Sequence, residues 1–156
     1  MLKLSKKADY GLIAVRHLAK HGAGNACSAS DISEACGISG TLMAKVLQKL
    51  AKAGLVASRH GSGGGYQLAR NAAEISAFEV INAIDGPLTI TSCVTTRGEC
   101  DQALTCTVRE PLRRVNDSIL QILKTVTVSQ MSEDSSEAGL VDLPSKGGTQ
   151  HGREAA

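Results

Sequence analysis

Three cysteines that could bind a metal, Cys93, Cys100 and Cys106, lie close together in this chain of 156 residues. Their spacing matches neither the paired Cys-x-x-Cys of zinc ribbons nor the cysteine runs of ferredoxins. Thiolates in one flexible window can nevertheless converge on a soft metal or a cluster. We interpret the window as a metal centre, with three unrelated thiols or a redox-sensing thiol pair as the alternatives.

The other thiols and imidazoles are interpreted as structural. Cys36 is expected to be a small buried residue, Cys27 lies in the same region, and His17 and His21 are expected at the surface or in packing. The N-terminus has no apolar segment of the signal-peptide kind, and no apolar run is long enough to span a membrane. We therefore expect a cytoplasmic protein, in which cysteines are more often metal ligands or redox thiols than disulfides.

The basic residues are concentrated in the N-terminal half. The formal net charge is +2, but residues 1–70 hold ten Lys and Arg against three Asp and Glu. Residues 71–131 hold five against seven, and residues 132–156 hold two against five. This asymmetry is typical of a polyanion-binding protein, although a solvated lysine-rich face would look the same. Aromatic residues make up only 2% of the chain, which disfavours modules that stack bases on aromatic side chains.

Local signals in the basic half predict two successive helices. A helix over residues 6–21 is capped by Ser5. Residues 28–31 form a capping box that opens a short helix to about Cys36, and Gly37 is its expected left-handed cap. A three-residue turn follows, as in a helix-turn-helix.

A third helix and a hairpin complete the predicted unit. The helix opens at Ser39 or Gly40, and two short strands, 55–60 and 66–69, flank a glycine-rich tip at 61–65. A nucleotide-binding P-loop is not indicated, because the glycines lead into a strand and not into Gly-Lys-Ser/Thr and a helix. The expected apolar face of the third helix consists of Leu42, Val46, Leu47 and Leu50.

This arrangement predicts binding to double-stranded DNA. The second helix of a helix-turn-helix enters the major groove with its N-terminal residues at the base edges, and lysines along one face can hold phosphates. A glycine-rich hairpin directly after it is a wing. The candidate DNA-binding residues are Ser39, Thr41, Lys45, Lys49, Arg59, His60, Gly61 and Gly64.

The C-terminal part carries a heptad seam. Residues 76–79 form a capping box for a helix that ends near Gly86, and the cysteine loop, residues 87–106, follows. Thr107 and Glu110 form a third capping box. Apolar residues then recur at alternating steps of four and three, which favours a dimer interface, although the seam could also pack on its own chain. The seam consists of Val108, Leu112, Val115, Ile119, Ile122 and Val126.

Together these patterns predict a mainly α-helical protein with a small β-hairpin: a winged helix-turn-helix followed by a long C-terminal dimerisation helix. The DNA-binding domain is assigned to residues 1–86, the cluster-binding cysteine loop to 87–106 and the dimerisation helix to 107–131. Residues 132–156 are polar without periodicity and are expected to be a disordered tail. The chain offers no nucleophile–base pair or nucleotide loop, so we expect no enzyme.

Residues 4–10, 32–39, 52–56 and 63–70 resemble the Rrf2 family of winged-helix regulators. The three-cysteine loop is similar to that of its iron–sulfur members, the IscR, NsrR and SUF-regulator types. The resemblance covers residues 1–131 and implies a homodimer on a partly palindromic operator. It also implies that each subunit holds a cluster, of 2Fe-2S or 4Fe-4S type, whose state sets DNA affinity.

The members of the family differ in the residue that serves as the fourth cluster ligand. The IscR type uses a His three residues after the third Cys, where this chain has Arg109. NsrR-like members use an Asp early in the first helix of the other subunit, and Asp9 stands there. A further variant pairs a Glu at that place with a His four residues on, where this chain has Ile13. The resemblance therefore implies a metal and cluster site formed by Cys93, Cys100, Cys106 and Asp9.

The resemblance implies a transcriptional regulator that senses iron–sulfur status and controls SUF-type cluster assembly genes. The alternatives are a nitric-oxide-responsive repressor with the same cluster, and a thiol-switch or zinc regulator without one. Ala44 stands where the IscR type has an operator-discriminating Glu, and His60 stands where many members carry Arg. The resemblance therefore does not predict the operator sequence that this chain would bind.

Overall fold

The computed structural model describes residues 3–22, 24–91, 100–102 and 104–133. The described part is mainly helical with a two-stranded antiparallel hairpin, which confirms the predicted fold class. Its elements are α1 (Lys6–His21), α2 (Ala29–Cys36), α3 (Gly40–Lys52), β1 (Val56–Arg59), β2 (Gly65–Leu68), a 3₁₀ turn (Ala72–Glu74), α4 (Ala77–Asp85), α5 (Arg109–Thr125) and α6 (Val128–Ser132).

The first two helices begin and end at the residues that the sequence indicated. The Ser5 hydroxyl accepts a hydrogen bond from the Ala8 amide at 3.1 Å. Ser28 and Asp31 form the reciprocal capping box at the start of α2. Gly37 ends α2 in the left-handed region, at φ 65°, where a side chain would be strained.

The core lies where α1, α3 and α4 meet. α1 approaches α4 closely at Gly11, where an added Cβ would lie 3.2 Å from Ile84. Met43 is buried while Leu42 is only half-buried, so Met43 joins the three correctly predicted residues of the α3 apolar face. The largest fully buried side chains are Val15, Leu18, Ile32, Met43, Val46, Leu47, Leu50, Ile75, Val80, Ile81 and Val128.

The wing is attached to the start of α2 as well as to α3. β1 pairs with β2 from Val56 opposite Leu68 to Arg59 opposite Gly65. Cys27 also pairs with Tyr66 through two backbone hydrogen bonds of 2.9 and 2.7 Å. A Cβ at Gly65 would collide with the Cys27 carbonyl, so this close approach requires glycine.

The predicted capping box at Thr107 is wrong. α5 begins at Arg109, and its N-cap, Val108, makes no side-chain hydrogen bond to the helix. Arg113 binds the Glu110 carboxylate through two hydrogen bonds of 2.9 and 2.6 Å. A capping box needs the Glu110 carboxylate to accept a hydrogen bond from the backbone that precedes the helix. Here Arg113 binds both oxygens of that carboxylate instead.

The predicted dimerisation helix over 107–131 is interrupted. α5 ends at Thr125, and Val126 is extended, so the last seam residue is not helical. Its carbonyl accepts from the Ala77 amide at 2.8 Å, and Val128 donates to the Ile75 carbonyl at 2.8 Å. These backbone bonds, together with the buried Val128 side chain, favour the break and the short α6. The expected tail falls outside the described residues from 134 onward.

Candidate DNA-binding surface and cysteine loop

The exposed face of α3 is polar and basic. It lies opposite the apolar residues that α3 buries in the core. Ser39 precedes the helix with an exposed side chain that makes no cap hydrogen bond. The structure therefore leaves the predicted base-reading end of α3 accessible. The exposed face comprises Thr41, Lys45, Gln48 and Lys52.

Lys49 has a structural partner that the sequence did not indicate. Its ammonium donates a 2.8 Å hydrogen bond to the Ile84 carbonyl, in the last turn of α4. A cation at the C-terminal end of a helix is stabilised by the carbonyls that lack helical partners and by the helix dipole. Lys49 thus joins α3 to α4 through its side chain.

The N-terminus of α1 is bound to the same end of α4. The Ser5 amide donates to the Asp85 carboxylate at 3.0 Å, and the Ser5 hydroxyl donates to its other oxygen. Ser5 and Asp85 are 80 positions apart, so no local signal could have revealed this contact. It places Lys7 beside α3, a basic residue that the sequence interpretation did not include among the DNA-binding candidates.

The wing presents two exposed basic side chains. Arg59 ends β1, and His60 follows it at the edge of the turn. Gly61 is exposed at φ 105°. A Cβ at Gly64 would lie 2.5 Å from the Arg59 carbonyl oxygen, so the tip has no room for a side chain at this position. The exposed side chains of Arg59 and His60 can therefore reach a ligand.

The structure places only two of the three loop cysteines. Cys100 and Cys106 are half-buried free thiols, and Cys93 falls in residues 92–99, outside the described part. Asp9 is exposed in the first turn of α1. Among the residues described, no three His, Cys, Asp or Glu side chains are grouped as metal ligands, so Asp9, Cys100 and Cys106 of one subunit are not brought together.

The thiols of Cys27 and Cys36 differ from those of the loop. Both pack against the hydrophobic core, as expected for Cys36. Burial raises the pKa of Cys36, and burial together with the Asp31 carboxylate raises the pKa of Cys27. A raised pKa favours the thiol over the reactive thiolate. These two cysteines are therefore poor metal ligands.

The two histidines of α1 contact each other. The rings of His17 and His21 lie 4.7 Å apart between centroids. Burial lowers the pKa of His17, and His21 lowers it further, so the neutral ring is favoured. This arrangement agrees with the packing interpretation.

Helix α5 both anchors the cysteine loop and exposes part of the seam. Asn116, only 4% exposed, accepts a hydrogen bond from the Ile90 amide at 3.1 Å, which fixes the chain just before the loop cysteines. Val108, Val115 and Ile122 are seven residues apart and are 57%, 49% and 38% exposed. One side of α5 therefore packs on its own chain, while the other leaves an apolar row in solvent.

Residues 4–134 match the Rrf2 family, described as an iron-dependent transcriptional regulator. The chain is 34% identical over 134 residues to the HTH-type transcriptional regulator IscR of Vibrio campbellii, covering 86% of this chain and 79% of that relative. Both the matched family and this relative are transcriptional regulators, which confirms the prediction of a regulator and not an enzyme. No helix in the described ranges is long and apolar enough to cross a membrane.

Two solved structures are similar over most of the chain. CymR, the global cysteine regulator of B. subtilis, superposes with a TM-score of 0.70 at 28% identity, covering 85% of this chain and 97% of that one. IscR of T. potens superposes with a TM-score of 0.69 at 30% identity, covering 89% and 92%. The winged-helix architecture is therefore shared with regulators of this kind.

Proposed function

Because this chain belongs to the Rrf2 family of iron-dependent transcriptional regulators, we propose that it is a homodimer that binds double-stranded operator DNA through α3 and the wing. We propose further that Cys93, Cys100 and Cys106 hold an iron–sulfur cluster together with Asp9 of the partner subunit. The state of this cluster would set the affinity for DNA. Such a regulator would act in the cytoplasm, on SUF-type cluster assembly genes.

The observation that supports DNA binding is the exposed basic face of α3 beside the wing. An α-helix fits the major groove, and the N-terminal residues of the recognition helix meet the base edges. Thr41 and Lys45 stand on that exposed face, and Arg59 and His60 stand on the wing. Hydroxyl and cationic side chains can read base edges and neutralise phosphates.

The donor set suits a soft metal. Cys100 and Cys106 are half-buried thiols without a disulfide, and thiolates are the preferred ligands of iron–sulfur clusters. A carboxylate such as Asp9 is a harder and more exchangeable ligand. When bound, the cluster would supply sensitivity to iron supply, oxidants or nitric oxide. The protein would contribute the thiolates and, through Asn116, the anchoring of the loop on α5.

DNA binding is tested on a duplex selected from a randomised pool. The logarithm of the binding constant should fall linearly with the logarithm of salt concentration, and Lys45→Ala or Arg59→Ala should each flatten this slope by about 0.9 if each residue neutralises one phosphate. Lys124→Ala is a control, because that lysine of α5 lies over the Phe78 ring of α4 and belongs neither to α3 nor to the wing. Unchanged slopes for both test variants would contradict the assigned surface.

The cluster is tested by the visible spectrum of anaerobically purified protein. Cys93→Ala, Cys100→Ala and Cys106→Ala should each abolish the brown chromophore, because each removes a strong ligand. Asp9→Ala should leave a chromophore that decays faster. Cys27→Ala and Cys36→Ala are matched controls that should keep the colour, because both thiols pack against the core. Colour that survives all three loop substitutions would rule out this ligand set.

A thiol-switch or zinc regulator is the second candidate. It is favoured by the likeness to CymR, a regulator of cysteine, and by the free thiols of Cys100 and Cys106. Zinc and disulfides give no visible colour, so a colourless protein that responds to thiol oxidation or releases zinc would support this candidate. A brown protein with iron and sulfide bound would exclude it.

A further inference from the structure

A cleft rich in lysine lies on the flank of α3. It has a volume of about 350 Å³ and is bounded by the first turn of α1, one side of α3 and the last turn of α4. Residues from all three helices therefore face a common space. The lining residues are Lys7, Lys45, Val46, Gln48, Lys49, Lys52 and Ile84.

The charged residues that line the cleft are all lysines. Four of its lining residues are lysines, and no lining residue is acidic. The nearby carboxylate of Asp85 is engaged by the amide and the hydroxyl of Ser5. Like charges on facing walls raise the local potential, and this favours an anionic ligand.

The position of the cleft indicates which anion it takes. The major groove is about 12 Å wide, and a helix with its side chains is about 10–12 Å across, so a helix in the groove is flanked by phosphates on both sides. The cleft is continuous with the exposed face of α3 through Lys45 and Lys52. A DNA strand beside α3 would therefore run along the cleft.

We propose that this cleft seats a backbone phosphate of the bound DNA, and that Lys7 of α1 is a phosphate contact from outside the helix-turn-helix. Lys45 and Lys52 hold the phosphate from the α3 side. Lys49, bound to the Ile84 carbonyl at 2.8 Å, is a positioning residue that fixes the angle of α3 against α4. The inference rests on the proposed DNA binding and adds the residues that grip one strand.

The test compares Lys7→Gln with Lys6→Gln by the salt dependence of binding to the selected duplex. Lys6 is an exposed lysine in the same helical turn, but it does not line the cleft. Lys7→Gln should flatten the log–log salt slope by about 0.9, so its affinity deficit relative to wild type should shrink about threefold between 50 and 200 mM salt. Lys6→Gln should keep the wild-type slope.

Lys49 is tested with Lys49→Met and Lys49→Arg. Lys49→Met should weaken binding at the wild-type slope, because it removes the hydrogen bond to Ile84 and no phosphate contact. Lys49→Arg should restore affinity, because its guanidinium can donate to the same carbonyl. A slope flattened by about 0.9 in Lys49→Met would instead make Lys49 a phosphate contact and overturn its positioning role.

The outcomes separate this inference from the function on which it rests. A wild-type protein without salt-dependent duplex binding would contradict the proposed function itself. Wild-type binding with equal slopes for the Lys6 and Lys7 variants would overturn the cleft alone. If inorganic phosphate binds wild type but not Lys7→Gln, while both proteins bind DNA with the same salt slope, the cleft is a free-anion site and the strand assignment is wrong. Far-ultraviolet circular dichroism checks that each variant is folded.

Discussion

Helices α3 and α5 are both amphipathic, but only α3 buries its apolar stripe within the chain. Val46, Leu47 and Leu50 of α3 are at most 1% exposed. In α5, Val115 and Ile122 are 49% and 38% exposed. The same kind of apolar spacing thus has two different structural outcomes. α3 is covered by α1, α2 and α4, whereas one side of α5 keeps its apolar side chains partly exposed.

The largest expected difference between the two helices concerns stability. Val46→Ala removes two methyl groups from a fully buried site and should lower the free energy of unfolding by about 2–3 kcal/mol. Val115→Ala removes the same groups from an exposed site and should cost less than about 0.5 kcal/mol at high dilution. Denaturant unfolding at a low protein concentration measures both values. Equal losses would show that the exposed row of α5 is already covered in the monomer.

The next largest effect is expected in self-association. Val115→Asp places a carboxylate in the exposed row and should weaken a dimer through α5 by about 1–3 kcal/mol, which is about 5-fold to 150-fold in its dissociation constant. Asp117→Val serves as the control, because it makes the reverse change, from carboxylate to valine, at another position of α5. Asp117 is exposed and ion-paired with Arg113. Analytical ultracentrifugation over a range of concentrations measures the change. A Val115→Asp protein as dimeric as wild type would exclude this surface as the interface.

A smaller effect is expected where α5 holds the cysteine loop. Asn116→Ala removes the acceptor for the Ile90 amide and should lower the free energy of unfolding by about 1 kcal/mol. Asn82→Ala changes an exposed asparagine of α4 and should have almost no effect. If the loop holds a cluster, the chromophore of Asn116→Ala should also decay faster than that of Asn82→Ala. Identical stability of the two variants would show that this hydrogen bond does not anchor the loop.

Signals between neighbouring residues predicted the helix starts of the N-terminal half correctly, whereas contacts between distant residues left no signal in the sequence. The starts of α1 and α2 follow from Ser5 and Ser28, whose hydrogen-bond partners lie three residues away. The contact of Lys49 with Ile84 spans 35 positions, and it gives a hydrogen-bond partner to a lysine that looked like its neighbours on α3. Cap signals can be read from adjacent residues, whereas a contact between helices depends on how they pack.

The end of α5 shows the same limit. The heptad seam continues through Val126 in the sequence, but Val126 pairs with Ala77 through the backbone and ends the helix. A repeat pattern records only which residues are apolar. It cannot show that the backbone at the start of α4 provides partners for residues 126–128.

The smallest expected effects compare the two helix starts, one with a capping box and one without. Ser28→Ala should lower the free energy of unfolding by about 1 kcal/mol, because the Ser28 hydroxyl caps α2. Thr107→Ala should cost only a few tenths of a kcal/mol, because α5 has no side-chain cap. Thermal unfolding of the two variants at neutral pH measures the difference.

The two helix starts should also differ in how the stability of the protein depends on pH. The hydrogen bonds from Ser28 lower the pKa of Asp31, so the folded state binds the Asp31 proton less readily than the unfolded state does. This stabilisation is present above the unfolded pKa of an aspartate and is lost as the pH falls through the lower pKa of the folded state. Ser28→Ala should therefore lose less stability on acidification than wild type. Thr107→Ala should keep the full acid dependence, because Glu110 owes its lowered pKa chiefly to Arg113. A Ser28→Ala curve parallel to that of wild type between neutral and acidic pH would show that the Ser28 hydroxyl does not lower the pKa of Asp31 in solution.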